Sequence, residues 1–302
     1  MNARYLTADV FTDRRFGGNQ LAVFPDASGI APDLMPQIAR EFNYSETTFV
    51  LPPADPKHTA KVRIFTPASE LQFAGHPTVG TAHVLASIGA FPLTGPETRI
   101  VLEEGVGPVP VTVRATNGRP EFATLSVAKL PEFGPPPGPR KTLAAMLSLE
   151  EEDVLSGEWS AQWGSCGTPF LLVALRDRAA VARSRVRPDV WESTLAGYIT
   201  DKVMLFAMDA EHPGHDVRAR MYAPRIGVPE DPATGSAAAA LAGYLAVRDS
   251  RRDGTLRWVI EQGFEMGRPS ILEIEADMNG GQITGVRVGG RTVLVCEGNM
   301  TL

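Results

Sequence analysis

The chain has 302 residues, 43% hydrophobic and 21% charged, with 29 basic against 35 acidic side chains and a net charge of −6. That length supplies one large domain or two of about 150 residues, and the near-average composition implies a substantial buried core. An acidic balance without a long Lys or Arg run lacks the electrostatic footprint of a nucleic-acid or anionic-membrane binder.

The longest uncharged stretch, Pro232–Val247, is diluted by Thr, Gly and Ser and falls short of the roughly 18 apolar residues a membrane span needs. No membrane association is expected. Asp9, Asp13, Arg14 and Arg15 stand where a signal peptide would need its apolar core, which predicts a cytoplasmic protein. Cys166 and Cys296 are too few for a disulfide framework or a zinc ligand set. Cys296 reads as a buried strand residue, and Cys166, in Gly164-Ser165-Cys166-Gly167, as the more exposed of the two.

In chain order, β-branched and apolar runs predict strands at Tyr5–Phe11, Leu21–Phe24, Thr47–Leu51, Lys61–Phe65, Arg99–Leu102 and Val109–Val113. A helix is predicted near Pro32 and another from His76 to about Ile88. Pro131–Pro139 carries five prolines, which oppose a helix or an inner strand, and reads as an interdomain linker. Strands follow at Pro169–Ala174, Val203–Met208, Val217–Tyr222, Leu256–Ile260, Ser270–Ile274, Thr284–Val288 and Val293–Val295, with a helix from Ser236 to about Val247.

The two halves echo each other. Ile64-Phe65-Thr66-Pro67 leads through Glu70 to Gly75-His76, and Met221-Tyr222-Ala223-Pro224 leads through Glu230-Asp231 to Gly235-Ser236. Pro67 and Pro224 lie 157 residues apart, Gly75 and Gly235 160. In each copy a strand ends at a proline, a loop carries a carboxylate, and a Gly-polar pair opens a nearly uncharged helix. A helix apolar on every face is buried on every face. The model is an α+β protein of two pseudo-symmetric domains, each a curved, barrel-like sheet around one central helix. The first domain is residues 1–128 and the second 129–289.

Pseudo-twofold symmetry would aim both helix N-termini at one cleft between the domains. Their backbone N–H groups and positive dipole ends suit a small anionic substrate. Gly75 and Gly235 permit close approach, and His76 and Ser236 add donors; simple helix capping is the competing reading. Glu46 stands at the mouth of an otherwise apolar strand, where lost hydration makes a carboxylate a proton shuttle near neutral pH. Asp231 lies in the loop that delivers the second helix. His212 and His215 flank a Pro-Gly turn that reads as a solvated loop, so no metal is expected. His83 shares the face of His76 one heptad on and reads as a core histidine. Neither a serine-hydrolase elbow nor a nucleotide fingerprint is present, and no cofactor is implied.

Asp9-Val10-Phe11, Phe16-Gly17-Gly18-Asn19, Ser45-Glu46-Thr47-Thr48-Phe49, Phe73-Ala74-Gly75-His76-Pro77, Glu230-Asp231-Pro232-Ala233-Thr234-Gly235-Ser236-Ala237, and Gln262-Gly263 with Met266-Gly267-Arg268-Pro269 together resemble the phenazine-biosynthesis isomerase (PhzF-like) family. The resemblance runs through nearly the whole chain. It implies a diaminopimelate epimerase-like fold, with the C-terminal strand, within residues 290–302, returning to the first domain, and a homodimer. It implies a cofactor-independent isomerase in which Glu46 takes a proton from one substrate carbon and returns it to another. His76 and Asp231 match relay and orienting positions, and Gly75, Gly235 and Ser236 match substrate-binding groups. The family's phenazine enzyme acts on trans-2,3-dihydro-3-hydroxyanthranilate. Ala74-Gly75-His76 and Thr234-Gly235-Ser236 replace the thiol turns of a diaminopimelate epimerase, which excludes a two-thiol racemase mechanism at those positions. Gln20 departs from the family's Gly-Asn-Pro. A non-catalytic small-ligand or partner-binding protein on the same scaffold is the alternative.

Overall fold

The computed structural model describes residues 2–302. The elements run β1 (Asn2–Val10), β2 (Asn19–Phe24), α1 (Met35–Phe42), β3 (Glu46–Leu51), β4 (Ala60–Phe65), β5 (Glu70–Leu71), α2 (Gly75–Ser87), β6 (Glu97–Glu104), β7 (Gly107–Thr116) and β8 (Arg119–Ser126). They continue with β9 (Glu132–Gly134), α3 (Arg140–Met146), β10 (Gln162–Ser165), β11 (Pro169–Ala174), α4 (Arg178–Arg183), α5 (Pro188–Leu195), β12 (Val203–Ala207), β13 (Val217–Ala223), β14 (Val228–Asp231) and α6 (Gly235–Ala246). Last come β15 (Gly254–Gln262), β16 (Ser270–Asn279), β17 (Gln282–Gly290) and β18 (Thr292–Thr301). Two compact units result: the chain through Ser126 together with Val288–Leu302, and Val127–Arg287.

In the first unit β1 pairs antiparallel with β18 and β2, β2 runs parallel to β3, and β3 and β4 are antiparallel. β4 then pairs antiparallel with the two-residue β5 and parallel with β6, and β6, β7 and β8 form an antiparallel meander. Inside this sheet α2 packs against β1, β2, β3, β7, β8 and β18. Its residues 75–86 are all buried, as its uncharged sequence requires. Gly80 lets the helix come this close: a Cβ there would stand 2.6 Å from both Leu21 Cδ2 and Val10 Cγ2. A second cluster covers the outer face, where Phe24 stacks on Phe49 at 5.0 Å and Phe65 meets Phe49 edge-on at 5.5 Å, with α1 closing over them.

The second unit repeats the scheme. β11 runs parallel to β12, β12 is antiparallel to β13, and β13 pairs antiparallel with the short β14 and parallel with β15, which β16 continues. Its buried helix α6 packs against β10, β11, β15 and β16. The outer face is covered by α3, α4 and α5 around buried Trp191. The topological match, parallel pair, antiparallel pair, short return strand and buried helix, is the sequence echo in three dimensions, and the α+β class with central helices is the one observed.

Three sequence expectations are corrected. The first helix begins at Met35, because Pro32 sits in a turn closed by the Leu34 N–H donating to the Ala31 carbonyl. Pro131–Pro139 is not a free linker: Glu132–Gly134 is a short strand on β10, and Tyr198 Oη donates to the Pro135 carbonyl at 2.5 Å. The cysteines exchange environments. Cys166 is buried, and burial pushes its thiol up to about 12, whereas Cys296 is exposed on β18, with Sγ 3.0 Å from Thr7 Oγ1. Cys296 and Glu297, neighbours on opposite faces of β18, are both exposed, which the apolar run Val293–Val295 before them does not announce. Among the described residues no helix is long and apolar enough to cross a membrane.

Candidate active site

In the first unit Glu46 opens β3, in register with Leu21 of β2, and His76 is the second residue of α2. The helix is pinned to β3 by the Thr48 and Thr81 hydroxyls, 2.9 Å apart, so the helix N-terminus and the strand start stay in fixed relation. His76 Nε2 thereby lies 3.3 Å from Glu46 Oε2, with the imidazole 4% and the carboxylate 15% exposed. Asn19, at the start of β2, places its side-chain nitrogen 3.2 Å from His76 Nδ1. Burial pushes the imidazole down to about 3, against a smaller opposing effect of a hydrogen bond to the Gln20 backbone, so the ring is neutral near pH 7. A neutral ring faces the carboxyl as a donor when its proton sits on Nε2 and as an acceptor when it sits on Nδ1. By switching tautomer the neutral ring can therefore partner Glu46 in either protonation state of the carboxyl.

The loop leading into Asn19 is tightly specified. Phe11 and Phe16 adopt positive φ of 64° and 70°, and Asp9 Oδ2 accepts the Phe16 N–H at 2.7 Å. No side chain caps α2, and Pro77 brings no N–H, so Gly75 and His76 carry the first backbone N–H groups of this helix.

Glu104 is a buried carboxyl that the sequence reading did not single out. Thr78 Oγ1 lies 2.6 Å from its Oε1 and 2.7 Å from the Ala74 carbonyl oxygen, so the hydroxyl donates to the carbonyl when a protonated Glu104 donates to Oγ1. Burial pushes Glu104 up to about 8, against the Thr78 hydrogen bond, so it is protonated at neutral pH. Its stabilising contribution is fully present below its unfolded value of about 4.5 and declines as pH rises towards about 8, by on the order of 1 kcal/mol per pH unit. Glu104→Gln keeps the Thr78 contact without the titration. Urea unfolding across that window is expected to show the variant gaining on the wild type as pH rises; parallel curves would refute the assignment. His76 and His83, pushed down by burial to about 3 and about 4, act in the opposite sense. Their contribution is present above about 6.5 and is lost as pH falls through those values.

In the second unit Asp231 ends β14, and its Oδ2 accepts the Thr234 hydroxyl proton at 2.5 Å. Gln262, at the end of β15, ties the loop together: Nε2 donates to the Asp231 carbonyl at 2.8 Å and to Thr234 Oγ1 at 3.0 Å, and Oε1 accepts the Thr234 N–H at 3.2 Å. Gly235 and Ser236 follow as the uncapped first turn of α6. Glu230, the neighbouring acid, is engaged elsewhere. Arg220 clamps it through two bonds of 2.7 and 2.8 Å and bonds the Ala182 and Ser184 carbonyls as well. The structure thus separates the two acids, giving Glu230 an architectural role and leaving Asp231 on the helix-delivering loop. Asn19 and Gln262 belong to motifs visible in the sequence, but only the fold shows what they hold.

A twice-built α+β unit, each around a buried helix, defines a diaminopimelate epimerase-like fold. The chain belongs to the phenazine biosynthesis-like family PhzC-PhzF, whose model matches residues 8–298, and it is an isomerase. It is 40% identical over 300 residues to an uncharacterized isomerase of Mesorhizobium japonicum, covering 98% of each chain. It is 34% identical over 302 residues to trans-2,3-dihydro-3-hydroxyanthranilate isomerase of Pseudomonas aeruginosa, covering 99% of each. A PhzF-family protein of Bacillus anthracis shares the fold with a TM-score of 0.90 at 22% identity, over 100% of both chains.

Proposed function

We propose that this isomerase moves a proton, without a cofactor, between two carbons of a small carboxylate-bearing acid that carries an amino or hydroxyl group. The observation that carries the reading is the Glu46–His76 pair: a carboxyl 3.3 Å from a buried, neutral imidazole. Glu46 as carboxylate accepts the proton from one carbon. The C–H electron pair moves into the substrate's conjugated system, and the protonated Glu46, open to exchange with solvent, delivers a proton to the second carbon, so atoms and charge balance over the cycle. His76 relays or steadies that proton through Nε2. Asp231, its Oδ2 held by Thr234, orients the substrate's polar group or relays its proton. The residues Gly75, Gly235 and Ser236 bind the substrate or its carboxylate. The substrate named for the Pseudomonas aeruginosa relative, trans-2,3-dihydro-3-hydroxyanthranilate, fits this chemistry and is the first compound to try.

Proton NMR in deuterated water, with that compound and a panel of small amino and hydroxy acids, tests the reading. Isomerisation or deuterium incorporation at carbon is the expected result. Folded enzyme that neither isomerises nor labels any member would overturn it.

A further inference from the structure

Glu261 is fully buried in β15, yet two histidines from a distant loop converge on one of its oxygens. His212 Nδ1 lies 2.7 Å and His215 Nδ1 2.8 Å from Glu261 Oε1. The convergence is built by the backbone. The His212-Pro213-Gly214-His215 turn closes with the His215 N–H on the His212 carbonyl at 3.1 Å, and Gly214 supplies a positive φ of 83°. Asp216 then locks the loop to β15, its N–H donating to the Val259 carbonyl at 2.9 Å and its Oδ2 accepting the Val259 N–H at 2.8 Å. The Phe264 ring stands 5.5 Å from that of His212.

We propose that His212, His215 and Glu261 form a binding site for a divalent transition metal of the zinc class, its fourth position open to water. Two imidazole nitrogens and one carboxylate oxygen, all within 4.8 Å of one another, are a borderline-soft donor set, which favours zinc and its neighbours over magnesium or calcium. Moving each ring's proton from Nδ1 to Nε2 leaves two nitrogen lone pairs facing Glu261 Oε1, and an ion held by all three sits between them once the rings draw back from that oxygen. Zinc–nitrogen and zinc–oxygen bonds of about 2.0–2.2 Å require the donor atoms to spread by roughly half an ångström. The half-exposed His212 has the freedom to supply that movement.

Arg218 holds the other carboxylate oxygen, Oε2, at 3.2 Å and is itself paired with Glu265 at 3.0 Å, so it orients Glu261 without claiming Oε1. The Glu211 N–H donates to Oε2 and the His212 N–H to Oε1, both at 2.9 Å. The sequence points away from this site because the Pro-Gly turn reads as solvated and Glu261 lies far along the chain. Gln262, the next residue, holds the Asp231–Thr234 loop, so an ion on Glu261 would brace the strand end that supports it.

Chelator-treated full-length protein titrated with zinc sulfate by calorimetry, with metal content read by mass spectrometry, tests the site. The expected result is one equivalent of zinc bound, a raised melting temperature, and no displacement by excess magnesium or calcium. His212→Gln and His215→Gln should each weaken zinc binding at least about tenfold. The exposed His212 variant keeps its fold, as circular dichroism will confirm. Absence of stoichiometric zinc uptake by the wild type, or unchanged affinity in the double variant, would overturn the proposal. Zinc retention after both substitutions would place the metal elsewhere and overturn it equally.

Discussion

Glu46→Gln is expected to lower turnover by about 10²–10⁴-fold, the range that general acid–base catalysis contributes, while the protein stays folded. Gln keeps the size of the side chain and can still reach His76 Nε2, which lies 3.3 Å from the native Oε2, but it cannot take a proton from carbon. The substitution therefore separates chemistry from packing. Both readouts come from one proton NMR experiment in deuterated water, where loss of isomerisation and loss of deuterium incorporation should run together. A folded variant with wild-type turnover would remove Glu46 from the mechanism. Labelling that persists while isomerisation stops would move the first proton abstraction to another base.

Gly263→Ala should be strongly destabilising in the second unit. Gly263 has φ of +76°, and a Cβ there would stand 2.5 Å from the Arg268 carbonyl oxygen and 2.6 Å from that of Pro232, neither of which can swing aside like a flexible side chain. A left-handed backbone costs a non-glycine residue about 1–2 kcal/mol, and overpacking about 1–3 kcal/mol more. The expected loss is therefore on the order of 2–5 kcal/mol by denaturant unfolding. Gly267→Ala is the control: its φ is +72°, but a Cβ there meets nothing within 4 Å, so only the backbone cost applies. Equal losses for the two variants would show that the close carbonyls do not matter. Because Gly263 follows Gln262, its replacement should also disturb the Asp231–Thr234 loop and lower turnover.

The features legible in the sequence are those set by local pattern. α2 and α6 stand out because helices without charge must be buried, and the Pro-to-Gly echo marks the short loop that precedes each. Glu46, His76, Gly75, Asp231, Gly235 and Ser236 all lie in recognisable motifs, and the structure places Glu46 beside His76 within one unit. What the sequence conceals depends on partners distant in the chain. β5 has two residues and β14 four, too few to show an alternation, and each exists because a neighbouring strand supplies its hydrogen bonds. The helices α3 and α4 span seven and six residues, below the length that declares itself by periodicity. Glu104 reads as a surface acid in Glu103-Glu104 until Thr78, on a different element, is seen to bond it. The buried state of Cys166 and the exposed state of Cys296 are likewise decided by which sheet face is covered.

The pairing of β1 with β18, from Asn2 opposite Thr301 to Val10 opposite Thr292, has a consequence for how the protein is made. Synthesis proceeds from the N-terminus, so β1 and its neighbour β2 leave the ribosome long before β18 exists to pair with the other edge of β1. Val127–Arg287 has all its own strands by then and can fold while the first unit waits, its edge strand unpaired, for the residues after Val288. Non-local pairing of this kind is slow because a long loop must close before any contact rewards it. The newborn chain thus carries an unmatched strand edge for most of its translation, the condition in which nascent chains pair wrongly with one another and in which a chaperone's protection counts most.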